Sequence, residues 1–227
     1  MKEDTPYYRR NLPHYQPEHA TYFVTFRLAG SLPIEVIARM KEGREADEKL
    51  LIREKSKVKQ REQLYDLQKR YFGKFDTLLD DSKSGPLWLG ESEVADLVAE
   101  AVHYRDGKAY DLYAFCIMPN HVHMVFAVGR QVGRRDSSPY VVTDILENLK
   151  WYTALKGNQL LKRTGQFWQH ESYDHVVRDG RELERIVGYV LNNPVKAGLV
   201  KSWSKWRWSY VSREMFADTF DERTPTD

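Results

Sequence analysis

The sequence predicts an α+β fold: a ferredoxin-like antiparallel sheet with helices packed on one side, extended by a long charged helical insertion. Three observations carry this expectation. The segments read in the order strand, helix, hairpin, helix, short strand, helix. Two strand-like runs, 111–118 and 121–128, are separated only by Pro119-Asn120, residues suited to a tight turn. Between them and the first strand lies a segment, 35–83, that holds 13 basic and 11 acidic residues and so cannot be core throughout.

Each element has a local reason. Residues 6–19 (PYYRRNLPHYQPEH) have no helical or strand period and read as an irregular arm. The run 21–28 (TYFVTFRL) is β-branched and aromatic, and Gly30-Ser31-Leu32-Pro33 ends it. From Glu35 to Tyr71 only Gly43 interrupts helix-forming residues, which predicts a long helix or a helical hairpin. Its apolar residues gather late, at Leu64, Tyr65, Leu67, Tyr71, Phe72, Phe75, Leu78 and Leu79. Ser92-Glu93 opens a helix with Val94, Leu97, Val98, Ala101 and Val102 at the 3.6 period. The segment 143–162 is a second amphipathic helix, buried through Ile145, Leu146, Leu149, Tyr152, Leu155 and Leu160. Residues 167–177 are aromatic and β-rich, and 181–192 form a further helix that Pro194 is expected to stop. The expected organisation is 1–34 as arm and first strand of the main domain, 35–85 as insertion, 86–210 as the remainder of that domain, and 211–227 as a tail.

Composition excludes several classes. With 227 residues, 41% hydrophobic and 13% aromatic, the chain can bury a core and is not disordered. No stretch approaches the roughly 20 apolar residues that span a bilayer. Met1–Pro6 lacks an apolar signal-peptide core, so a cytoplasmic protein with no membrane partner is expected. The single cysteine, Cys116, excludes an internal disulfide framework and a multi-cysteine zinc site. Net charge is only +2, yet residues 130–207 hold 14 basic against 8 acidic residues. A basic half of this kind is either a solvated face or a nucleic-acid footprint.

The sharpest motif is PNHVHMVF over 119–126. On a strand, His121 and His123 project to one face while Val122, Met124 and Phe126 face a core. Two imidazoles on one rigid strand can ligate a divalent metal, or they can be structural. Tyr189 and Asn193 are i and i+4 and share a helix face if the helix reaches Asn193. The Asn193 amide oxygen suits a hard cation, and Tyr189 reads either as an interface residue or as a nucleophile toward phosphate.

Four blocks in order, MPNHVHMVF (118–126), ILENLKWYTALKG (145–157), FWQHESYDHVVRD (167–179) and YVLNNPVKAGLV (189–200), resemble the REP-associated tyrosine transposases, within the single-tyrosine HUH transposase superfamily. The resemblance runs from PHYQPEHATYFVTFRLAGSLP (13–33) to WSYV (208–211). It implies a metal-dependent single-stranded DNA endonuclease and strand transferase that works through a covalent 5′-phosphotyrosine. It implies Tyr189 as nucleophile, His121 and His123 as catalytic metal ligands, and Asn193 as third ligand, where many relatives carry glutamine. Asn192 is the neighbouring alternative, about 100° away around the helix. Mg2+ or Mn2+ suits a mixed nitrogen and oxygen site that a phosphate completes. The implied partner is single-stranded DNA folded as hairpins of palindromic repeats, which implies a nucleoid-associated protein, monomeric or homodimeric.

Candidate phosphate contacts are Arg9, Arg10, Arg130, Arg134, Arg135, Lys150, Lys156, Lys162 and Arg163. Trp203, Trp206 and Trp208 can stack on bases or pack a core. Gly157 and Gly180 are candidate hinges for movement of Tyr189. Two other readings compete. A non-catalytic hairpin-binding protein that retains the fold would lack a histidine or the tyrosine, and neither is missing. A histidine-triad hydrolase requires a histidine at the position of Val125.

Overall fold

A computed structural model describes residues 7–9, 13–15, 20–51, 56–81, 85–129 and 141–215. The chain divides into two compact units, Met1–Leu28 with Leu87–Asp227, and Ala29–Pro86.

In the first unit, β1 (Tyr7–Arg9) pairs antiparallel with β2 (Pro13–Tyr15). The arm expected to be irregular therefore contains a two-stranded ladder. Three-residue strands are too short to display an alternating pattern, which is why the pairing was invisible locally. Thr21–Arg27 forms β3.

The second unit holds a helical pair, α1 (Ile34–Leu51) and α2 (Lys57–Asp81), so the charged segment is a hairpin of helices. Asp47 on α1 joins them, accepting from Arg70 Nη2 at 2.7 Å and from the Tyr71 hydroxyl at 3.2 Å on α2. Gly85 takes φ +90, and a Cβ there would lie 2.4 Å from the Gly30 carbonyl oxygen. Only glycine permits the two ends of this unit to approach so closely.

The first unit resumes with α3 (Ser92–Arg105), β4 (Asp111–Ile117), β5 (His121–Ala127), α4 (Val141–Leu160), β6 (Tyr173–Val176), α5 (Gly180–Lys196) and β7 (Ser209–Val211). The main sheet runs β6-β3-β5-β4-β7 and is antiparallel at every pairing. The series β3-α3-β4-β5-α4-β6 in the spatial order β6-β3-β5-β4 is the ferredoxin-like arrangement, and β7 is added at the β4 edge.

Tyr22, Val24 and Phe26 of β3 join Val122, Met124 and Phe126 of β5 in one core cluster with Val94, Val98 and Val102 of α3 and Ile145 and Leu149 of α4. α3 and α4 thus cover one face, as expected. The opposite face is covered as well. Tyr189 of α5 meets Phe23 and His123, which alternate away from that core. α5 buries Val187, Val190 and Leu191, so its amphipathic face shields side chains the α3–α4 layer leaves behind.

Two local expectations are corrected. α5 does not stop before Pro194; it continues to Lys196, with Pro194 buried inside it. Proline removes one N–H donor, but here it falls in the last turn, where Ala197 N–H bonds the Asn193 carbonyl at 2.9 Å and Leu199 N–H bonds that of Pro194 at 2.9 Å. Gly157 is a packing residue rather than a hinge: it is buried within α4, and a Cβ there would lie 2.7 Å from the Phe167 ring. Among the described residues no helix is long and apolar enough to cross a membrane.

Candidate metal and nucleophile site

β5 places His121 and His123 on the face away from the α3–α4 core, and both are fully buried. Their Nε2 atoms are 2.9 Å apart, and the rings are inclined at 75°. Each Nδ1 has its own partner. Asn120 Oδ1 lies 2.6 Å from His121 Nδ1, and Thr25 Oγ1 lies 2.8 Å from His123 Nδ1. An amide oxygen only accepts, so His121 carries its proton on Nδ1 and directs the Nε2 lone pair at His123. The threonine hydroxyl can do either. If it accepts, two lone pairs face each other, and a shared cation is needed between them. If it donates, His123 Nε2–H bonds His121 Nε2. In both cases the outer partners hold the rings so that the Nε2 atoms converge.

Tyr189 packs beside this pair. Its ring centroid is 5.7 Å from that of His123 and 6.2 Å from that of Phe23, both edge-on. Its hydroxyl oxygen is screened from solvent. The Lys196 ammonium lies 5.9 Å from the Tyr189 ring centroid.

Four residues on, Asn193 is buried, and neither atom of its amide has a hydrogen-bond partner among the described residues. An unsatisfied buried polar group costs about 1–3 kcal/mol, so this amide has bonding capacity that the described residues do not use. Asn192, by contrast, is exposed and donates from Nδ2 to the Gly188 carbonyl at 3.0 Å.

The start of α5 is fixed reciprocally. Asp179 Oδ1 accepts from Glu182 N–H at 2.8 Å, and Glu182 Oε2 accepts from Arg178 N–H at 2.9 Å. Glu182 Oε1 also lies 3.5 Å from His175 Nε2 on β6, a buried pair that ties the helix to the sheet.

The candidate phosphate contacts have different fates. Lys150 is corrected: it is buried, and Nζ donates to the carbonyls of Gln169 at 2.9 Å and His170 at 3.1 Å and to Ser172 Oγ at 2.6 Å. Its ammonium pins the segment leading into β6 and is not offered to DNA. Arg163 lies on the Trp88 ring, 3.9 Å from the centroid, and donates to Asn158 Oδ1 and the Gln166 carbonyl. Lys156 and Lys162 are exposed. Arg9 lies on β1. Arg10, Arg130, Arg134 and Arg135 lie outside the described residues. Two of the three tryptophans are engaged within the fold: Trp206 Nε1 donates to the Ile117 carbonyl at 2.9 Å and Trp208 Nε1 to Asp96 Oδ1 at 2.8 Å.

The sequence motifs missed Thr25 and had Asn120 only as a turn residue. Asn120 precedes His121 directly, and that adjacency was the available signal. Thr25 is 98 residues from its histidine, so nothing local announces it.

No protein-family model matches this chain. A Haemophilus influenzae protein named "Putative REP-associated tyrosine transposase" is 27% identical over 119 residues, covering 50% of this chain and 65% of that protein. An Escherichia coli protein named "REP-associated tyrosine transposase" is 24% identical over 114 residues, covering 50% of this chain and 62% of that protein. Each match spans less than two thirds of the relative. A solved structure described as "Structure of the REP associates tyrosine transposase bound to a REP hairpin" aligns over 89% of this chain and 80% of its own, at 17% identity and a TM-score of 0.47. Through its sequence matches to the two curated relatives, over half its length, the chain resembles the REP-associated tyrosine transposases.

Proposed function

We propose that this chain is a transposase-like, metal-dependent single-stranded DNA endonuclease and strand transferase acting at repetitive extragenic palindrome hairpins. The observation that carries this reading is the convergence of two buried imidazole Nε2 atoms beside the ring of Tyr189. The names of the two sequence relatives support the substrate class.

The donor set fits a divalent cation. Two oriented Nε2 atoms and an amide whose oxygen has no partner among the described residues are nitrogen and oxygen ligands of the kind Mg2+ or Mn2+ accepts when phosphate adds more. His121, His123 and Asn193 would hold it. When bound, it supplies positive charge that polarises a phosphate oxygen.

The remaining steps belong to the chain's own residues. Tyr189 Oη attacks the phosphorus, and its proton leaves to water. The P–O3′ bond breaks, the 3′-oxygen gains a proton, and a 5′-phosphotyrosine ester forms. Lys196, over the Tyr189 ring, favours negative charge on the attacking phenol. Packing against His123 and Phe23 holds the ring in one orientation, which limits the geometry of attack. The ester conserves the bond, so attack by a 3′-hydroxyl reseals DNA without ATP.

A denaturing-gel assay tests the reading. Labelled single-stranded hairpins from repeats beside the gene are incubated with the protein and Mn2+ or Mg2+. A metal-dependent, protein-sized covalent adduct formed by the wild type and not by Tyr189→Phe is the expected result. Binding without cleavage across metals and repeats would replace it with the non-catalytic hairpin-binding reading.

A further inference from the structure

Glu182 lies in the first turn of α5 and is only 3% exposed, although a glutamate is rarely buried without a partner. Its two oxygens point to different elements. Oε2 accepts from Arg178 N–H and closes the cap of the helix. Oε1 faces His175 Nε2 on β6, 3.5 Å away and also buried. Whichever atom holds the proton, that contact is polar and directional. Capping needs only the first contact. The second fixes how the helix is turned about its own axis. Val187, Val190 and Leu191 bury apolar area against the fold, and apolar contact is non-directional.

The turn of α5 is what the site depends on. Tyr189 and Asn193 follow Glu182 along the helix so that all three fall within about 20° of one line. On the sheet, His175 stands directly opposite Phe23 in the β3–β6 register, and Phe23 is edge-on to Tyr189. The buried pair and the tyrosine therefore bear on neighbouring side chains of one sheet face.

We propose that Glu182, held by His175, is the positioning residue for Tyr189: the pair sets the rotation of α5 that rests the tyrosine ring against His123. The assignment rests on the proposed nuclease reading. It concerns placement of the nucleophile, and Glu182 acts through the helix rather than on the reacting atoms.

The test compares wild type with two variants. Glu182→Gln keeps the shape of the side chain and an oxygen for Arg178 N–H, and removes the carboxylate from His175. Asp179→Ala removes the acceptor of Glu182 N–H and leaves the His175 contact in place. Two quantities are read on folded protein: kcat and KM of adduct formation at saturating Mn2+, and the NMR signals of the His123 ring without metal or DNA, which sense the Tyr189 ring beside them. For Glu182→Gln, kcat should fall by about 10- to 100-fold at level KM, with displaced His123 signals. Asp179→Ala should lower the thermal midpoint and keep the wild-type kcat and His123 signals. A wild-type kcat or unmoved His123 signals in Glu182→Gln overturn the proposal. So does an equal fall in kcat in Asp179→Ala, since the pair would then merely stabilise the start of the helix. If Glu182→Gln does not fold, His175→Gln is read by the same criteria. If the wild type itself forms no adduct, the nuclease reading fails, and the His123 signals then decide by themselves whether the pair places Tyr189.

Discussion

On one face of the β3–β5 ladder, Tyr22, Val24 and Phe26 meet Val122, Met124 and Phe126, sealed beneath α3 and α4. On the other face, one residue along, Thr25, Arg27, His121 and His123 are almost equally buried. Burial therefore does not separate the structural face from the chemical one. The first is satisfied by contact alone, because apolar groups need no particular partner. The second needs named partners: Asn120 and Thr25 for the two imidazoles, and α5 for cover. Because the strand period is two, a slip of one residue would exchange the faces and destroy both. The apolar face is what keeps the register that the histidines require.

The largest expected effect on the chemical face comes from Tyr189→Phe. It keeps the ring contacts with His123 and Phe23 and removes only the hydroxyl proposed as nucleophile, so adduct formation should fall by at least about 1000-fold with an unchanged thermal midpoint. A comparable adduct from this variant would break the assignment. On the apolar face, Phe126→Ala should cost about 3–5 kcal/mol in urea unfolding, while the folded fraction keeps its adduct rate. A larger loss of activity than of folded protein would mean that the two faces are not separable.

Smaller changes sharpen the contrast. Thr25→Val is close in shape and removes the Nδ1 partner of His123, so metal affinity should drop by about 10- to 100-fold with little change in stability. Calorimetric titration with Mn2+ reads this directly. Lys150→Met should lower stability by about 1–3 kcal/mol, through unsatisfied carbonyls, and leave the salt dependence of DNA binding unaltered. A shallower salt slope would restore Lys150 as a phosphate contact.

The smallest expected effect lies away from both faces. His103 is exposed at its edge, but partial desolvation beneath Phe115 and Tyr210, which pack edge-on to its ring, lowers its pKa below 6.5, and Asp106 opposes this. The folded state prefers the neutral ring. Its contribution to stability is therefore complete above the ordinary value and is lost as pH falls through the lowered one. An NMR titration should place the His103 midpoint below 6.5.

Much of this fold and site was legible in the sequence, for physical reasons that differ by element. The hairpin at Pro119-Asn120, the helix over Ser92–Arg105 and the shared facing of His121 and His123 follow from turn chemistry and from periods of 3.6 and 2, all local quantities. The fate of Lys150 was not legible, since a lysine on an amphipathic helix looks the same whether it meets water or three acceptors from the segment before β6. Nor was the persistence of α5 through Pro194, which depends on the bonds that close its last turn and on what the helix packs against. The sequence by itself determined which elements form and which residues alternate together, because those depend on neighbours along the chain. Only the tertiary structure decided that Thr25 orients His123, that Arg27 stands opposite His121, and that Tyr189 lies against the pair. Those contacts are set by strand register and helix docking between segments far apart in the chain.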